Sequence, residues 1–217
     1  MILYFLAIPK TGSTSISRIL ASNYPVESQF KFGVWNQFLP TVPETKHVSL
    51  VCGHFGRSIS RLFSDELKTV TVIRNPLERV LSQISHVLHD RMGNHWVPPS
   101  ENFYLSVTRC LRDEKIRKFI SNNQTRHLAV DFDVVEASKT EGVYLEYMKS
   151  FQEPTGDILS AAKKFLSNCT FFTTTSSLDK STGRFCDAVG IKNVPMVRMN
   201  TSEDRFQMED FSSPVLR

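Results

Sequence analysis

The apolar run that opens this chain, Ile2 to Ile8, falls far short of the roughly 20 residues a membrane span needs. No basic segment precedes it and no cleavage site follows it, so no secretory signal is read. The four cysteines, Cys52, Cys110, Cys169 and Cys186, never fall into a Cys-x-x-Cys pair. That argues against a zinc site or a redox couple and leaves free thiols as the expectation. The sequons at Asn123, Asn168 and Asn200 carry meaning only in a secreted chain. Repeats and low-complexity tracts are absent, and so is a basic stripe. The net charge is +4, and between Arg109 and Lys118 basic residues are interleaved with acids, as on a solvated helix face, so nucleic acid is not an expected partner.

What the chain does have is alternation. Strand-like runs near residues 2–8, 48–52, 69–73 and 170–174 are separated by helical spacing near 13–22, 58–65, 76–90, 113–121 and 157–167. This predicts an α/β fold, a single P-loop-type domain over 1–217 with a central parallel sheet flanked by helices. The segments Asn23 to His47 and Arg91 to Asn102 lack periodicity and read as long loops over the sheet edge, where acceptor specificity is expected. Phe30, Phe32, Trp35 and Phe38 make the first of these aromatic. Packing beneath the loop is the favoured reading, and the lining of an acceptor pocket is the other.

Chemistry concentrates where the first strand ends. Pro9 stops the run, and Lys10-Thr11-Gly12-Ser13-Thr14-Ser15 leads into Ile16, Ile19 and Leu20 at helical spacing. A helix N-terminus here presents free amide hydrogens and the positive end of the helix dipole, Gly12 permits close approach of an anion, and Lys10 adds a cation. The Walker pattern is missing, because the lysine precedes the only glycine of the loop. Ordinary capping by the hydroxyls is the bland alternative.

A second site of the same kind follows the run Val70 to Ile73. Arg74 stands at the strand exit, Asn75 is placed to cap a helix and Pro76 to occupy its first position. That helix runs through Leu77, Val80, Leu81, Ile84 and Val87, with Arg79, Gln83 and His86 on other faces. The guanidinium of Arg74 suits a phosphate dianion, and Ser82, two turns on, can add a hydroxyl. Two separated anion sites are what a nucleotide with a 5′-phosphosulfate and a ribose phosphate requires. ATP has no use for the second.

On these residues the chain resembles the sulfotransferases that use 3′-phosphoadenosine 5′-phosphosulfate, in the heparan sulfate 2-O and 6-O type branch. Ile8-Pro9-Lys10-Thr11-Gly12-Ser13-Thr14 is similar to the 5′-phosphosulfate loop of that branch, and Ile73 to Ser82 to its 3′-phosphate element. Asn123-Gln124-Thr125-Arg126-His127-Leu128-Ala129, Ala161 to Leu166 leading to Phe171-Phe172, and Met199-Asn200-Thr201-Ser202 follow in similar order. The resemblance implies a nucleotide site built from Lys10, Thr11, Gly12, Ser13, Thr14, Ser15, Arg74 and Ser82.

It also implies a catalytic base at His54, which follows a strand and Gly53. His47, His86, His89, His95 and His127 have ordinary readings as helix-surface or loop residues. The expected reaction is in-line sulfuryl transfer to an acceptor hydroxyl, on a carbohydrate or a small alcohol. His54 takes the proton and Lys10 steadies charge on the leaving phosphate. No metal requirement is expected, since Arg74 stands where a nucleotide-magnesium site would want an acid. A glycan acceptor is permitted by the charge, not demanded by it. The animal enzymes that the chain resembles are anchored in the Golgi, whereas Met1 directly before a strand suits a cytoplasmic protein; an excised Golgi-lumen catalytic domain is the alternative. A P-loop kinase or nucleotidase with an atypical loop, and a non-catalytic nucleotide- or glycan-binding module, stay open as other functions.

Overall fold

A strand that is apolar at every position can be buried on both faces, and the first run does this. The computed structural model describes residues 1–30, 32–38, 43–64, 67–88, 103–139 and 156–192. In it β1 (Ile2–Leu6) is buried throughout and forms the middle of a five-stranded, all-parallel sheet. Its partners are β2 (Gln29–Phe30), β3 (Leu50–Gly53), β4 (Leu67–Ile73) and β5 (Phe171–Thr174), in the order β2-β3-β1-β4-β5.

Side-chain alternation along β1 divides the core in two. Ile2, Tyr4, Leu6 and then Ile8 pack with Phe55, Ile59, Leu128 and Ala162, while Leu3, Phe5 and Ala7 pack with Ile16, Leu20, Leu178 and Phe185. Double-sided burial is the condition under which parallel sheets form, and each fully buried side chain of this size contributes about 1.5–3 kcal/mol. Helix α1 (Ser13–Asn23) covers the second face. The chain leaving β3 turns instead to the first face, through a 3-10 segment over Arg57–Leu62 that buries Ile59 there. Neighbouring strands whose exits go to opposite faces leave a crevice at their carboxyl ends. Lys10 and His54 flank that crevice.

Helix α2 (Pro76–Leu88) starts as its sequence predicts. The Asn75 carboxamide oxygen accepts from the backbone amides of Leu77 at 3.0 Å and Glu78 at 3.3 Å. Its buried side departs from the apolar spacing, however. Arg79 and Gln83 are only 2% and 3% exposed while Leu77 is 49% exposed. The reason is a polar target: Nη2 of Arg79 donates to the carbonyl of Ile120, the last residue of α4 (Glu114–Ile120), where a cation complements the helix dipole.

Other expectations change too. The helix expected near 58–65 is the 3-10 segment, because Ser58 and Ser60 give their hydroxyls to the backbone, at Val130 O (3.3 Å) and Arg57 O (3.0 Å), in competition with a regular helix. The stretch Arg109 to Lys118 is not one helix. Asp113 caps α4 by accepting from Ile116 N at 2.9 Å, and a separate α3 (Phe103–Arg112) precedes it. Also unanticipated are β2, α5 (Asn123–Ala129), α6 (Val134–Lys139) and α8 (Leu178–Val189); α7 (Gly156–Ser167) was expected. The loop from Asn23 to His47 packs its aromatics. Phe30, Trp35 and Phe38 are buried, in edge-to-face or tilted contact with Phe32, Phe55, Phe63 and Phe132. Arg91 to Asn102 and Met199 to Ser202 lie outside the described residues. All four cysteines are free. No described helix is long and apolar enough to cross a membrane.

Candidate functional site

Because every strand is parallel, the exits of β3, β1, β4 and β5 share one edge of the sheet, and the chemistry collects there. The loop after β1 has an unusual backbone. Lys10 and Gly12 both have positive φ, 69° and 79°, and Thr11 between them does not. Alternation of hand turns successive amide hydrogens into one concavity, the geometry of an anion nest. Gly12 is the N-cap of α1 and makes no side-chain cap, so the first amides of the helix face the same way. A glycine costs nothing at this φ. Lys10 carries a side chain in the left-handed region, a strain of about 1–2 kcal/mol.

The hydroxyls of this loop are not equivalent. Thr11 is fully buried and its Oγ1 donates to Ile8 O at 2.9 Å, so its one hydroxyl hydrogen is committed to the fold and only its backbone amide can serve an anion. Ser15 is buried, Ser13 half-buried and Thr14 exposed. Opposite the loop stands the turn after β5. Thr175 Oγ1 donates to Ile73 O at 3.1 Å, and a Cβ placed on Gly12 would meet Thr175 and Leu178 at 3.8 Å each. This wall had no expected role.

His54 leaves β3 beside the loop. Its backbone amide donates to Gly33 O at 2.8 Å, and its ring Nδ1 lies 2.5 Å from the Ala7 carbonyl. A carbonyl can only accept, so Nδ1 carries the hydrogen and Nε2 of the neutral ring keeps its lone pair. No described residue hydrogen-bonds Nε2. Burial pushes the pKa of His54 below its usual value, with the Ala7 carbonyl opposing the shift. Gly53 is required for a steric reason. A Cβ there would lie 2.8 Å from Gly33 O and collide with the Phe55 ring.

Arg74, at the exit of β4, reaches back to the loop after β1. Its Nη1 donates to Lys10 O at 3.4 Å and its Nε pairs with Glu78 at 3.2 Å. The side chain is 16% exposed, against 48% for Glu78. Ser82, a turn beyond Glu78, is half-buried and its hydroxyl has no hydrogen-bond partner among the described residues. The structure thus brings Lys10, the nest amides, His54 and Arg74 to one edge, with direct bonds from His54 to Ala7 and from Arg74 to Lys10. Among the described residues Ser82 makes no hydrogen bond to any of them.

Helix α5 lies beneath this edge. Gln124 brackets the backbone of Arg74, accepting its amide at 2.7 Å and donating to its carbonyl at 2.8 Å. His127, 1% exposed, gives its Nδ1 hydrogen to Asn123 O at 2.8 Å. Burial, helped by the neighbouring His54, Arg126 and Arg79 and opposed by the Asn123 carbonyl, lowers its pKa to about 3, so it stays neutral. Nothing in the spacing of Asn123 to Ala129 announced these roles. Among the described residues, no group of three or more His, Cys, Asp or Glu side chains is arranged to hold a metal ion.

A scan of the chain against protein-family models gave no match, and no curated protein matched its sequence.

Proposed function

We propose that this chain transfers a sulfuryl group from 3′-phosphoadenosine 5′-phosphosulfate to an acceptor hydroxyl. The observation that carries the reading is the tautomer imposed on His54. With Nδ1–H given to Ala7, Nε2 is a base at the same edge as two cation-bearing positions, Lys10 with its nest and Arg74.

The residues fit such a nucleotide in kind. A concavity of amides with an adjacent lysine suits the 5′ end, whose oxygens carry diffuse negative charge. A guanidinium held on a neighbouring strand exit suits a ribose phosphate. When bound, the nucleotide supplies the sulfuryl group and a phosphate leaving group. His54 Nε2 accepts the proton of the acceptor hydroxyl, and the Ala7 carbonyl then stabilises the resulting imidazolium through Nδ1–H. Lys10 and the nest amides would supply positive charge and hydrogen-bond donors to the leaving oxygen. The acceptor is a carbohydrate or another alcohol, and the +4 charge admits an anionic glycan.

The test is release of adenosine 3′,5′-bisphosphate from the phosphosulfate donor in the presence of an acceptor panel spanning anionic glycans, neutral sugars and simple phenols. Acceptor-dependent release that disappears in His54→Ala supports the proposal. Absence of release with every acceptor, together with hydrolysis or transfer from magnesium-ATP, would replace it with a kinase or nucleotidase.

A further inference from the structure

Helix α5 touches both halves of the site. Gln124, half-buried, meets Arg74 through a matched pair of hydrogen bonds in which its amide hydrogen and oxygen take up both backbone groups of one residue. Arg74 lies between Ile73, the last residue of β4 and partner of Thr174, and the Asn75-Pro76 helix start. That is the point at which a chain changes from strand to helix and is least constrained by either. Three residues along α5, His127 lies close enough to His54 for charge on one ring to act on the other, and its carbonyl packs 3.0 Å from where a Cβ on Gly56 would stand. The same short helix therefore fixes the backbone beneath Arg74 and packs beside the base.

We propose that Gln124 is a positioning residue for anion binding: it locks the backbone of Arg74 so that the guanidinium, steadied by Glu78 and the Lys10 carbonyl, stands ready before a ligand arrives. This rests on the reading of Arg74 as the contact to the ribose phosphate. The physical gain is preorganisation. An arginine on a frayed strand end must be ordered at the moment of binding, and affinity falls by that cost.

Variants at both residues test it. Gln124→Leu keeps the bulk and removes both hydrogen bonds, Arg74→Ala removes the guanidinium, and the third combines them. In titrations with adenosine 3′,5′-bisphosphate, Gln124→Leu is expected to weaken binding about tenfold, raising KM for the donor while leaving kcat within about threefold. Arg74→Ala and the double variant are expected to bind alike, because Gln124 acts only through Arg74. Gln124→Glu keeps the acceptor and loses the donor, and should fall between wild type and Gln124→Leu. Wild-type affinity in Gln124→Leu, or a further loss in the double variant beyond Arg74→Ala, overturns the proposal.

A second readout needs no ligand. Amide exchange at Arg74 should quicken in Gln124→Leu while the amides of β1 keep their protection; unchanged exchange at Arg74 overturns the inference. Should the wild-type protein fail to bind the bisphosphate, the sulfotransferase reading falls on that result, and the exchange measurement still decides whether Gln124 holds Arg74.

Discussion

Nδ1 of His54 and the carbonyl oxygen of Ala7 lie 2.5 Å apart, so the first residue after β3 is tied to the first residue after β1. The bond sets the tautomer, and the tautomer sets what the ring can do.

Removal of the ring should separate binding from turnover. His54→Ala is expected to lower turnover by roughly a hundredfold or more while bisphosphate affinity stays near that of the wild type. Burial lowers the pKa of His54 from 6.5, so the free base persists below that value. The acid limb of the kcat/KM profile should therefore fall below pH 6.5. A limb above it, or full turnover in His54→Ala, would show that another group is the base.

Lys10 sits at φ 69°, where glycine is at ease. Lys10→Gly should leave thermal stability unchanged or raise it by up to about 1 kcal/mol, relief of the left-handed strain being offset by the greater freedom of glycine when unfolded. The same change should weaken nucleotide binding and lower turnover. Lys10→Ala removes the charge but keeps the strain. If both variants lose stability equally, the backbone is not what makes this position special.

Stability should depend on pH in a definite direction. Folding holds His127 neutral with a pKa of about 3, against 6.5 for an ordinary histidine. Below 6.5 the unfolded chain therefore binds a proton that the folded chain refuses. Stability from this residue is complete above 6.5 and is lost as pH falls toward about 3, at up to about 1.4 kcal/mol per pH unit. His54, shifted the same way, adds to the loss. Urea unfolding at pH 7, 6 and 5 should show midpoints that fall with pH, and His127→Gln should flatten the trend. A midpoint independent of pH would mean that the buried ring is already charged.

Gly53→Ala should cost stability and activity together. The added methyl meets Gly33 O at 2.8 Å and the Phe55 ring. Both are held, Gly33 O by the His54 amide and Phe55 by the aromatic core, so neither can yield cheaply. Overpacking of this kind costs about 1–3 kcal/mol. Stability equal to that of the wild type would show that the loop bearing Gly33 moves aside freely.

The elements that fix the edge were legible because local chemistry and fold agree in them. The doubly buried run of β1, the Gly12 turn and the Asn75-Pro76 cap each signal their structure within a few residues. Elements that owe their shape to distant partners were not legible. Helix α8 contains Gly183 and the hydroxyl residues Ser181 and Thr182, all of poor helix propensity, yet forms because Leu178, Phe185 and Cys186 meet the sheet. Arg79 sits at a position that spacing assigns to solvent and is buried by a carbonyl 41 residues away. Residue types and order pointed to Lys10 and Arg74, and the family resemblance to His54. They did not show that Thr11 turns its hydroxyl inward or that Gln124 holds Arg74, because those facts depend on which strand exits become neighbours.

If Arg74 binds a ribose phosphate that ATP and ADP lack, calorimetric titration will show it. Adenosine 3′,5′-bisphosphate, ADP and magnesium-ATP are compared at one salt concentration, on wild type and Arg74→Ala. The bisphosphate is expected to bind at least about tenfold more tightly than ADP, a difference of about 1.4 kcal/mol, and Arg74→Ala to remove about 1.5–3 kcal/mol of its affinity. Magnesium-ATP binding as tightly as the bisphosphate, with Arg74→Ala indifferent, would contradict it.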